Sequence, residues 1–110
     1  IDIDINTKPY VDVVNKYNKT DVDVLYMDYK ELPRKVFNRI DLIIGCDICY
    51  WEQHIDNIQK LINKAKCPVL IADPGRDTFW ELTEKVKGNL HEISLKKPRA
   101  VRGYVYEILP

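Results

Sequence analysis

The chain has 110 residues, 45% hydrophobic and 31% charged, the balance of one soluble globular domain. Seventeen basic side chains offset seventeen acidic ones, so the net charge is zero and the bulk electrostatic case for a nucleic-acid-coating or polybasic membrane-surface protein falls away. No apolar run approaches the ~18–20 residues of a membrane span, a charged, Asp-rich segment stands where a signal peptide's apolar region would be, and three cysteines do not make a disulfide framework. A reducing cytoplasm is the expected setting. The chain opens at Ile1 inside an expected strand, so we expect a piece of a longer protein.

Ile1 to Ile5 alternates Ile-Asp-Ile-Asp-Ile, the period-2 pattern of a strand. Asn6-Thr7 offers an N-cap and Pro9 suits a first helical turn. Tyr10, Val14 and Tyr17 then recur at helical spacing, and the helix should end near Asn18-Lys19. Val22 to Met27 reads as a second strand, and Lys30 to Asn38 as a short, Pro-interrupted helical connection. Ile40 to Cys46 is nearly continuously apolar, as expected of a strand covered on both faces. Trp51, Ile55, Ile58, Leu61, Ile62 and Ala65 mark the strongest amphipathic helix, stopped by Pro68. Val69 to Ala72 is a buried strand closed by Asp73-Pro74-Gly75-Arg76. Asp77 should cap a further helix, and Gly88 should end it in the left-handed conformation. Leu90 to Leu95 and Tyr104 to Leu109 read as an antiparallel hairpin joined by Lys96 to Gly103.

The order β-α-β-(α)-β-α-β-α-β-β predicts one domain over residues 1–110. Its architecture would be α/β, a Rossmann-like, doubly wound, mostly parallel sheet with an antiparallel C-terminal hairpin. In such sheets ligands sit outside the carboxyl ends of the parallel strands. Here those ends carry Asp2 and Asp4, then Met27-Asp28, then Asp47, then Asp73. Aspartate is a poor strand former, so the repetition needs a reason. Single aspartates in such places are turn formers or helix caps. In register, they suit a nucleoside with a cationic appendage: one carboxylate for a ribose diol, Asp28 for a purine amine with Met27 on the ring face, and Asp47 for a cation or amine.

Asp2-Ile3-Asp4-Ile5-Asn6, Tyr26-Met27-Asp28 and Asp41 to Tyr50 together resemble class I S-adenosylmethionine-dependent methyltransferases from their second strand onward. Leu70 to Arg76 is similar to the branch containing predicted nicotinamide N-methyltransferases and protein lysine methyltransferases. The resemblance implies methyl transfer to a nitrogen nucleophile on a small amine or a protein lysine. It implies S-adenosylmethionine as cofactor, with Asp2 or Asp4 on the ribose, Met27 and Asp28 at the adenine, and Asp47 near the methionine moiety and the acceptor. Tyr50 and Trp51 would line the acceptor pocket, and Arg76 would steer a substrate carboxylate or buttress a loop. Asp47 and Tyr50 are the candidates for deprotonating the amine. The family's first strand and Gly-rich turn are missing: the four glycines are Gly45, Gly75, Gly88 and Gly103, with no G-x-G. We therefore expect the segment alone to bind the cofactor weakly or not at all, needing upstream residues or a second chain, and its exposed strand edges to allow self-association.

Other patterns carry bland readings. Cys46-x-x-Cys49 with His54 has too few companions for a zinc site, and buried small residues are the simpler account. The Lys96, Lys97, Arg99, Arg102 cluster is a solvated loop or a contact for an acidic macromolecule. His91 reads as a structural histidine. The competing functional readings are a receiver-like regulatory module and a scaffold that keeps the fold without the chemistry.

Overall fold

A computed structural model describes residues 1–110. Contacts divide the chain into two compact units, Ile1–Pro33 and Arg34–Pro110.

In the first unit the two expected strands shrink to a single parallel bridge, Asp2 to Tyr26. It is closed by Asp2 N–H donating to Leu25 at 3.1 Å and Met27 N–H donating to Asp2 at 3.0 Å. The alternation is real, but its polar half works against a ladder. Asp2 Oδ1 accepts from the Asp4 N–H at 2.9 Å, and Asp4 Oδ1 accepts from the Asn6 N–H at 2.9 Å. These side-chain turns take the backbone donors that a longer strand would use. The chain then passes through a 3-10 turn, Ile5–Thr7, into helix α1, Lys8–Asn18. Pro9 sits in the first turn, and Lys19 ends the helix in the left-handed conformation at φ 55°. Asn15 pins the returning chain through Val22, accepting its N–H and donating to its carbonyl, both at 3.0 Å. Tyr10, Val13, Val14 and Tyr17 of α1 are all more than half exposed.

The second unit opens with a 3-10 segment, Arg34–Arg39. It continues through β1 (Ile43–Cys46), α2 (Glu52–Lys64), β2 (Val69–Asp73) and α3 (Asp77–Lys85) to β3 (Asn89–Leu95) and β4 (Val101–Ile108). The sheet order is β1-β2-β4-β3. β1 and β2 are parallel, and β4 runs antiparallel to both β2 and β3. The architecture is α/β with a mixed four-stranded sheet, and only one of its pairings is parallel, fewer than expected. In register, Val69 faces Ile108 and Ile71 faces Tyr106, which puts their side chains on one face. On that face Ile55, Ile58 and Ile62 of α2 and Phe79 and Leu82 of α3 complete the core. Each such side chain, fully buried, contributes about 1.5–3 kcal/mol.

Both helices of this unit therefore cover the same face, so the expected double winding is not seen within it. β1 is likewise not covered on both sides: Ile44 is 63% exposed and Cys46 is also exposed. Its covered side is closed by Gly45, where a Cβ would meet the Ile48 and Ile71 side chains. Two helix ends also differ from expectation. Asp77 is the first residue of α3 rather than its cap, and Arg76 occupies the cap position. α3 ends through an extended Val86, and the left-handed glycine is Gly75 (φ 103°), not Gly88. Gly88 is needed for space instead, since a Cβ there would lie 2.6 Å from the Glu107 carbonyl oxygen. On the exposed edge strand β3, His91 contacts Glu107 at 3.2 Å and Glu92 pairs with Arg102 at 2.9 Å. No helix is long and apolar enough to cross a membrane.

Candidate functional site

The carboxyl ends of the parallel strands β1 and β2 lie side by side, with Cys46 opposite Ala72. The chain leaves each strand through a residue at positive φ, Asp47 at 60° and Gly75 at 103°. Aspartate is one of the few side-chain-bearing residues that visit this region, because its short carboxylate can bond locally. The turn is tied down from within, since the Asp47 N–H donates to the Ala72 carbonyl at 2.9 Å. It leaves the Asp47 side chain 60% exposed at the sheet rim.

Asp73 behaves oppositely. Its side chain is fully buried, and both of its oxygens are engaged. Oδ1 accepts from the backbone N–H groups of Gly75 and Arg76, each at 2.9 Å, and Oδ2 accepts from the Arg76 guanidinium at 2.8 Å. Asp73 is thus a positioning residue that shapes the Pro74-Gly75-Arg76 turn, not a free carboxylate on the rim. Arg76 also pairs with Asp47 through the same nitrogen. Its pKa is raised, first by the hydrogen bond to Asp47 and further by Asp73. The Tyr50 ring lies 4.7 Å from the guanidinium carbon, a cation–π contact. Tyr50 meets Trp51 edge-on at 5.6 Å, and both aromatics are more than half exposed. Thr78 donates its hydroxyl to the Cys49 carbonyl, tying the 47–51 loop to α3.

Two carboxylates share one guanidinium, so the cluster keeps one excess negative charge. Beside it, on the sheet face opposite the helices, is a cavity of about 320 Å³. Cys46, Asp47, Asp73 and Pro74 form its strand-end wall, and Ile93, Leu95 and Val101 of the hairpin form its apolar side. Arg102, paired with Glu92, also lines it, so the hollow is apolar with the exposed Asp47 carboxylate at one edge. Cys49 is buried, and that burial, reinforced by Asp73, pushes its thiol up to about 11. It is held as a neutral thiol, unsuited to nucleophilic or metal-binding work at neutral pH. Cys46 is exposed, against the expectation of two buried small residues.

The remaining expected site residues belong to the first unit. The Asp2–Tyr26 bridge brings Asp2 beside Met27 and hence near Asp28. Each carboxylate there has local work. Asp2 and Asp4 close turns, and Asp28 accepts from the Lys30 N–H at 3.0 Å while pairing with the Lys30 ammonium at 3.4 Å. Sequence reasoning placed Asp47, Tyr50 and Arg76 at one rim but missed the buried role of Asp73 and the Thr78 tether. The Asp-Pro-Gly-Arg turn was the available signal for Asp73, because an aspartate two residues before a glycine commonly bonds forward to the turn's backbone. Comparison with protein-family models, with curated proteins and with solved structures finds no match.

Proposed function

We propose that this chain forms the cofactor- and acceptor-binding part of an S-adenosylmethionine-dependent methyltransferase acting on a nitrogen nucleophile, a small amine or a protein lysine. The observation that carries the reading is the Asp47–Arg76–Tyr50 cluster at the carboxyl ends of two adjacent parallel strands, the place where open α/β sheets hold ligands. The reversed strand β4, antiparallel between β2 and β3, also supports it. So does the parallel bridge that sets Asp2 beside Met27 and Asp28.

The bound cofactor would supply an electrophilic methyl group on a positively charged sulfur. Its charge suits the exposed Asp47 carboxylate, and its apolar stem suits the apolar cavity beside it. This chain's residues would do three things. The exposed Asp47 carboxylate, whose Arg76 partner is shared with Asp73, attracts cations, both the sulfonium and the incoming amine. Asp47, exposed and fixed by its turn, accepts a hydrogen bond or proton from that amine, leaving its lone pair free for in-line attack. Tyr50 and Trp51 offer aromatic faces that exclude water from the acceptor.

Titration calorimetry of S-adenosylhomocysteine into the full-length parent protein, rather than into this segment alone, tests the reading. Saturable binding, lost in Asp28→Ala and weakened in Asp47→Asn, is expected. A folded protein that gives no heat with either S-adenosylhomocysteine or S-adenosylmethionine refutes it. That result would favour the scaffold reading, which the local engagement of Asp2, Asp4 and Asp28 already suits.

A further inference from the structure

At the other end of the same parallel strands lies a second hollow of about 320 Å³, lined by Arg34, Phe37, Asn38, Asn63, Lys64 and Lys66. Three separate stretches of chain build it. Arg34, Phe37 and Asn38 come from the 3-10 segment that precedes β1. Asn63 and Lys64 end α2, and Lys66 lies in the short connection to β2. All three stretches lead into the amino ends of β1 and β2, whereas Asp47 and Asp73 lie at the carboxyl ends. The strands between them are four and five residues long, so the two hollows are separated by roughly 15 Å of sheet.

The lining is chemically one-sided. Three of the six side chains are permanent or near-permanent cations, two are amides, and none is a carboxylate. The unit's ion pairs are built instead on Arg76, Lys85, His91 and Arg102. Phe37 of the same 3-10 segment is buried, which anchors the wall that carries Arg34. Lys66 donates to the Asn38 side-chain oxygen at 2.9 Å, which bridges two of the three stretches and fixes an ammonium at the mouth. Like charges brought into one hollow repel one another, a cost that a bound anion removes. The negative C-terminal end of α2 accounts for Lys64 and Lys66, but not for Arg34, which a separate stretch of chain brings to the same hollow.

We propose that this hollow is a binding site for a small polyvalent oxyanion of the phosphate class. Arg34 would present a planar two-pronged donor, Lys64 and Lys66 point charges, and the two amides neutral donors. The volume suits a ligand of metabolite size rather than a long polymer. The site is independent of the methyl-transfer reading, because none of its residues belongs to the Asp47 rim.

The test titrates inorganic pyrophosphate into the intact protein at low and at physiological ionic strength, with calorimetric detection. One saturable site is expected, weakened about tenfold by Arg34→Gln and about tenfold by Lys64→Gln, the loss of one charge-assisted contact each. Asp47→Asn should leave pyrophosphate affinity unchanged, and circular dichroism should show both site variants folded. No saturable binding overturns the proposal. So does binding that the two variants leave intact, or binding confined to a long polyanion such as heparin, which would mark diffuse surface charge.

Discussion

Removing the Asp73 carboxylate tests how the rim is built. In Asp73→Ala the N–H groups of Gly75 and Arg76 both lose an acceptor now 2.9 Å away. Both bonds end on a fully buried side chain, so water does not simply replace it. Each is worth about 1–1.5 kcal/mol, so the loss should be about 2–3 kcal/mol. For a unit of this size that is roughly a 15 °C drop in Tm. Loss of the guanidinium bond adds little, because Arg76 reaches solvent and has Asp47 as a second partner. Asp73→Asn keeps one carbonyl oxygen for the two backbone donors and should lose about 1 kcal/mol. Urea unfolding followed by tryptophan fluorescence is a suitable assay, because both tryptophans, Trp51 and Trp80, lie in the second unit. An alanine variant as stable as the parent, or an asparagine variant as damaged as alanine, would refute the claim that Asp73 acts by accepting from the turn's backbone.

Two further outcomes follow from the same packing. Cys49 has a folded pKa of about 11 against an ordinary 9.0, so the folded state holds its proton longer than the unfolded state. The associated stability is fully present below pH 9 and is lost as pH rises toward 11, by up to about 2–3 kcal/mol. Unfolding measured between pH 8 and pH 11 should fall more steeply for the parent than for Cys49→Ala, and parallel curves would contradict this. Gly75→Ala places a Cβ 2.7 Å from the Tyr104 ring at a φ of 103° and should cost about 2–4 kcal/mol in the same urea assay. Gly45→Ala meets only the ends of the Ile48 and Ile71 side chains and should cost less.

Legibility was uneven along the chain. From Ile43 onward, each element was visible in local pattern: the Ile55–Ile58–Ile62 stripe, the apolar run before Cys46, the Pro68 stop, and the hairpin expected around Lys96 to Gly103, whose last strand in fact starts three residues earlier than expected, at Val101. Before that, alternation over Ile1 to Ile5 promised a strand that amounts to one bridge. The pattern was sound as a record of hydrophobicity. What it could not register was that Asp2 and Asp4 bond forward to the backbone, diverting donors from the ladder. For α1 the helix itself was predictable, since Pro9 and Lys19 set its ends locally. Its apolar stripe did not foretell burial, because Tyr10, Val14 and Tyr17 remain exposed.

The candidate rim divides in the same way. Asp47, Tyr50 and Arg76 could be placed at one end of the strands from order alone, because parallel strands joined by helices must bring their carboxyl ends together. Yet Asp47, Asp73 and Asp28 are the same residue type in similar positions after hydrophobic runs, and they have unlike fates. One is exposed at positive φ, one is wholly buried with both oxygens hydrogen-bonded, and one caps a 3-10 turn. Chain order and periodicity are properties of neighbours in sequence, and by themselves they determined the elements and their succession. Which donors a carboxylate meets, and which sheet face goes uncovered, depend on groups brought close only by folding, so the tertiary structure alone decided them.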